Sequence, residues 1–238
     1  MEKRGISNVE MVLAFLIFIG AVLFAIYFFA GQFSQREKSE SIDYIYNVII
    51  DNAKDEFKTY SIKVNRTSLP SQVEIIAIDL DVDFNLDENV AAYDFSENKI
   101  PLKLISDIIY LNISDSEDII NLRISKSILN NYTQFSDSPT HNPSNYEIAS
   151  STRNTLTSEK MLRDLIREYN LDYNRLKSRL GVSRGFEFGF GVKFSETEFM
   201  ETNKEIPKQV QLFTKNERKE ILKEDGRVLF SDFKVSVW

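Results

Sequence analysis

The chain has no cysteine among its 238 residues. Disulfide frameworks, thiolate zinc sites and cysteine nucleophiles are therefore excluded. It has one histidine, His141, so multi-histidine metal sites and most histidine-based triads are excluded too. His141 lies in Ser138-Pro139-Thr140-His141-Asn142-Pro143, a polar stretch that reads as a solvated loop. No glycine-rich phosphate cradle precedes a helix pattern, and there is no Gly-x-Ser-x-Gly elbow. Phe186-Glu187-Phe188-Gly189-Phe190-Gly191 has glycines, but in a strand pattern. No stripe of Lys and Arg occurs, and the formal charge is −7, which argues against a nucleic-acid partner. Carboxylates abound, with no pair singled out for acid–base work. The expectation is a protein that is not an enzyme and holds no cofactor and no metal.

One long apolar run is present. From Met11 to Gln35 there is no charged side chain. About 20 apolar residues cross ~30 Å of hydrocarbon, so the run is long enough to span a membrane, over roughly residues 11–33. Lys3 and Arg4 precede it, which places the N-terminus in the cytoplasm and the remainder outside. Ala30-Gly31-Gln32 is a poor match to a secretory cleavage site, and the run is too long for a signal core.

The start, Met1-Glu2-Lys3-Arg4-Gly5 followed by Ile6-Ser7-Asn8-Val9-Glu10, resembles the class III signal of archaeal type IV pilin-like proteins. The resemblance covers residues 1–35. It implies a leader of residues 1–5, built on Lys3, Arg4 and Gly5 and cut after Gly5 by a prepilin peptidase, with the apolar run retained. Ile6 then becomes the new N-terminus and Glu10 the fifth residue, the position of the family's assembly glutamate. The implied partners are other pilin subunits, an assembly ATPase and its membrane platform, with a surface filament as product. The absence of a disulfide and the large head favour a minor or accessory subunit over the main rod. Some archaeal surface solute-binding proteins use the same signal class, so a solute- or glycan-binding module on the same anchor is the second reading. The physics gives Glu10 a role: a carboxylate at the edge of a membrane helix is costly, and the α-ammonium freed at Ile6 is a cationic partner for it.

Beyond Gln35, Ile42, Ile45, Tyr46, Ile49, Ala53, Phe57 and Tyr60 recur at helical spacing. The expected fold is α+β: one helix over residues 6–60 packed on a mainly antiparallel sheet, the lollipop of a pilin. Ile76, Ile78, Leu80, Val82, Phe84 and Leu86 alternate with Ala77, Asp79, Asp81, Asp83, Asn85 and Asp87, a strand with one acidic face. An EF-hand is excluded, because Phe84 and Val90 occupy the positions that need Gly and Glu; a cation or a basic partner strand on that face stays open. Residues 61–135 read as the β-rich part of the head, with strands at 108–113 and 121–124 and a helix around 102–111 as an alternative. Residues 136–157 read as a polar loop. Residues 158–238 read as a helix capped by Thr157 or Ser158 and ended by Gly181, an aromatic strand over 186–194, and a hairpin turning at Asp225-Gly226 in a type I′ turn. The terminal strand is expected to leave an open sheet edge. Asn65, Asn112 and Asn131 stand in glycosylation sequons.

Overall fold

The computed structural model describes residues 8–65, 69, 75–80, 87–113, 118–129, 132 and 142–238, with backbone alone at 8–9 and 28–39. The chain opens with α1 (Asn8–Asn52). Seven strands follow: β1 (Lys54–Val64), β2 (Ile75–Asp79), β3 (Asn89–Asp94), β4 (Lys99–Ile100), β5 (Leu102–Ile105), β6 (Ile108–Asn112) and β7 (Ile119–Ser125). After a short 3-10 turn come β8 (Tyr146–Ser158), α2 (Glu159–Leu171), α3 (Tyr173–Arg179), β9 (Phe188–Lys193), β10 (Phe199–Glu201), β11 (Phe213–Leu222) and β12 (Val228–Val237).

The fold is α+β. Nine strands form one sheet in the order β10-β9-β12-β11-β8-β1-β7-β3-β4, and β2-β6-β5 form a second. Every ladder is antiparallel except a two-residue parallel contact of β11 with β8. The sheet serves two large cores and a small third one of Phe57, Ala91, Tyr93, Ile128 and Leu222. At one end Ile45, Tyr46 and Ile49 of α1 pack with Leu162, Leu165 and Tyr169 of α2 over Phe188, Phe233 and Val235. At the other, Ile62, Leu122 and Ile124 face Ile76, Ile78, Ile109 and Leu111 of the small sheet.

Five expectations are corrected. The helix stops at Asn52 rather than continuing to residue 60. Tyr60, Ile62 and Val64 are strand formers at alternate positions, and β1 gains a ladder on both sides, with β7 and with β8, which a helix forgoes. Residues 146–158 are a strand, not a loop. They look like a loop because almost every side chain of β8 is exposed; its backbone pairs with β1 along its whole length. Residues 102–111 form two strands, excluding the helical alternative. The last hairpin does not use a type I′ turn: the Lys223 amide donates to Arg227, the Gly226 amide to Lys223, and Gly226 alone has a positive φ, of 92°. That is a three-residue loop with a left-handed glycine. The terminal strand β12 is also interior, between β9 and β11.

The helix after residue 158 is interrupted once. Ser158 caps α2 by accepting the Met161 amide, and Asp172 breaks the run by capping α3 through the Arg175 amide. Gly181, with φ 67°, follows the end of α3. The glycines of β9 mark a close approach of backbones, since a Cβ on Gly191 would lie 2.8 Å from the Met200 carbonyl of β10.

Where α1 hands over to the sheet, a buried polar knot forms. Asp55 is 7 % exposed. Its carboxylate accepts from the Glu56 and Ser127 amides and from the Ser125 and Ser127 hydroxyls. Ser158 donates to the Ser127 hydroxyl, and the Ser158 amide donates to the Ala53 carbonyl. One carboxylate thus ties the end of α1 to β1, to the end of β7 and to the start of α2. Asp55→Ala leaves these donors unpaired and lowers the unfolding free energy of the full chain in detergent by about 3 kcal/mol, read from urea denaturation; Ser125→Ala costs about 1 kcal/mol.

Candidate functional site: an exposed apolar rod and the base that holds it

The first half of α1 touches nothing in the head. Glu10–Tyr27 has a mean hydropathy of 2.4, and none of it is buried. Phe15, Phe18 and Phe24 are each more than 60 % exposed. Among the described residues this is one helix long and apolar enough to cross a membrane. Its apolar side chains point all round the axis, so no single face is reserved for the head. Glu10, an exposed residue, opens the span and is the only charge in it.

The second half of α1 is gripped. Ile42, Ile45, Tyr46, Ile49, Ile50 and Ala53 are buried at three- and four-residue steps. The apolar seam is bordered by charge. Lys215 of β11 binds Asp43 at 2.7 Å and sits 4.4 Å from the Tyr46 ring centroid. Tyr46 packs edge-on against Phe233 at 5.4 Å. Tyr46 beside its carboxylate, with Lys215 and Lys219, holds Glu217 down to about 2. Two hydrogen bonds fix the other side: the Tyr44 hydroxyl donates to the Leu180 carbonyl, and Arg179 donates to Asn52.

The strand ends beside this foot form a base. Glu187 joins three of its segments. Its carboxylate binds Lys177 of α3 at 3.0 Å and also Lys204 of the segment after β10, while its backbone pairs with Trp238 in both directions. Burial pushes the Glu187 carboxyl up, but Lys204, Tyr173 and Lys177 outweigh it and hold it down to about 2. On the face of β9 and β12 turned away from α1 lies a groove of about 340 Å³. Its apolar wall is Phe199, Ile206 and Trp238; Asp232, Lys234 and Asn216 supply polar groups.

The expected site residues are spread out rather than gathered. Lys3, Arg4, Gly5 and Ile6 lie outside the described residues, as do Asn131, His141 and residues 81–86. Asn65 is exposed, with its amide donating to the Ser144 carbonyl at 3.0 Å, and Asn112 is exposed at the end of β6. Of the acidic strand face, Asp87 binds Lys126 at 2.7 Å and the Asp79 backbone exchanges hydrogen bonds with the Tyr146 hydroxyl. Among the described residues no group of three or more acidic, histidine or cysteine side chains is placed to hold a metal. Sequence reasoning missed the charged border of α1. Its signal was Lys215-Asn216-Glu217-Arg218-Lys219, a strand polar in both phases, whose inner face must meet something polar.

The Glu187 carboxyl has a folded value below its unfolded one of about 4.3. Its stabilisation is complete above that value and is lost as pH falls toward about 2. Glu187→Gln therefore flattens the acid limb of stability across that window, seen as a urea midpoint less dependent on pH than in the unaltered chain. No protein-family model, no curated protein and no solved structure matches this chain.

Proposed function

We propose that this chain is a minor or accessory type IV pilin-like subunit that waits in the membrane on α1 and joins a surface filament through the same helix. The observation that supports the reading is the rod: Glu10–Tyr27 is wholly exposed, yet continues without interruption into a segment locked to the head. An apolar cylinder of this kind needs lipid or other rods around it. Lipid tails are as apolar as Leu and Ile, so exchanging one for the other is nearly neutral, and packing and polar pairs decide the outcome. Glu10 is the one charged group in the Glu10–Tyr27 span. In this reading a prepilin peptidase cuts after Gly5, and the Ile6 α-ammonium of one subunit pairs with a Glu10 carboxylate to set the axial register. The assembly ATPase and its platform supply extraction, sibling pilins supply the remaining rods, and the head works outside the cell in adhesion or attachment. Asn65, Asn112 and Asn131 are then on the side where glycans are added.

The groove beside Trp238 favours a second reading, a head that binds a solute or glycan on the same anchor. Its aromatic wall and its polar groups at Asp232, Lys234 and Asn216 are suited to a small polar ligand.

Protein isolated from native membranes or filaments begins at Ile6 on N-terminal sequencing. Glu10→Ala keeps that cleavage and membrane insertion but loses incorporation into filaments. A native protein that retains Met1 through Gly5, or a Glu10→Ala variant that assembles normally, contradicts the proposal.

A further inference from the structure

The grip on α1 sets the height of the head above the span. The helix rises about 24 Å from Tyr27 to Asp43. The Glu10–Tyr27 span covers about 27 Å of a ~30 Å hydrocarbon core, and each headgroup layer adds about 5–8 Å. The outer lipid surface therefore lies about 10 Å beyond Tyr27, and Asp43 stands about 15 Å above it. β11 runs beside α1 in the same direction: Lys215 meets Asp43, and Leu222 pairs with Ser158, whose amide binds the Ala53 carbonyl. Phe213, the first residue of β11, is then about 7 Å closer to the lipid than Lys215. Val237 pairs with Phe213, so Trp238 is at this same end. Residues 202–212 run along this end: Thr202 pairs with Phe190, Lys204 binds Glu187, Ile206 lies beside Trp238, and the segment leads into Phe213.

The composition of this end differs from the rest of the head. Ile206, Val210 and Leu212 are 43 %, 39 % and 43 % exposed on one short segment. In a chain of net charge −7, this end exposes Arg184, Lys204 and Lys208 beside Glu205, with Lys204 and the buried Lys177 both bound to Glu187. Trp238, the single tryptophan, is half-buried beside Ile206. Exposed aliphatic side chains, cations and a tryptophan at one level are what a lipid interface selects.

The geometry points to residues 202–212, with Trp238, as a second membrane contact: the base of the head rests on an anionic headgroup surface while α1 spans the bilayer. This rests on the reading of α1 as a membrane-spanning anchor. A single helix alone leaves the head free to swing. The second contact holds it at a fixed tilt, and the Lys204–Glu187 pair keeps the segment attached to the base. Departure of the subunit into a filament breaks this contact.

The test uses the full chain in nanodiscs of phosphatidylglycerol and phosphatidylcholine, with Trp238 as the native probe. Co-flotation of the chain with lipid vesicles measures anchoring separately. Lipids brominated near the headgroup quench Trp238, and quenching weakens when phosphatidylglycerol is omitted or salt is raised. Ile206→Asp with Val210→Asp removes the quenching while the chain still floats with lipid and keeps its far-ultraviolet circular dichroism. An anchored chain whose Trp238 is untouched by the quencher, or quenching unaltered in the double variant, overturns the contact. A chain that does not float overturns instead the anchoring on which it rests.

Discussion

An apolar helix exposed on every side cannot stay in water, and the organisation of this chain follows from that constraint. A buried Phe, Leu or Ile side chain is worth about 1.5–3 kcal/mol relative to an exposed one. Glu10–Tyr27 leaves nine such side chains uncovered by the head. The core of the head beside α1 is filled by the other half of the helix, through Ile42, Ile45, Tyr46 and Ile49. In the proposed reading the medium around the rod, lipid or neighbouring rods, completes the molecule.

The head is arranged to hold that rod without absorbing it. Of the three hydrophobic clusters on the curled sheet, one includes α1. The junction is polar where the chain changes from helix to strand: Asp55 is satisfied by hydroxyls and amides rather than by a cation, so the knot is directional. The border of the seam is charged, with Asp43, Tyr46, Lys215 and Glu217 meeting at its edge. Apolar burial supplies adhesion, and the polar groups fix where along α1 the head sits.

Much of this was legible in the sequence, for physical reasons that also explain the failures. The apolar run, the alternation at 76–80 and the stripe from Leu162 to Leu180 each follow from one buried face or one apolar medium. β8 was illegible because its partner is a backbone: Ser150, Ser151, Thr152 and Asn154 bury almost nothing, and hydrophobic periodicity reports only side chains. Helical spacing carried past Asn52 because Ala53, Phe57 and Tyr60 recur at four- and three-residue steps, and the ladders to β7 and β8, which that spacing does not report, make the segment a strand. The turn at Gly226 was placed correctly and typed wrongly, since the glycine fixes where φ is positive but not how many residues close the loop. The charged seam at Asp43 and the base around Glu187 bring together residues far apart in sequence; the local pattern of β11 shows a polar inner face but not the partner on α1 that it meets.

The absence of native cysteine allows a single engineered thiol to test the rod directly. With Phe18→Cys in intact host cells, a membrane-impermeant maleimide added outside is expected not to label the chain if the rod lies in lipid or among other rods as proposed, while Ser150→Cys on the exposed β8 strand labels readily. Labelling of Phe18→Cys as complete as that of Ser150→Cys would show the rod standing in water, and would contradict the account.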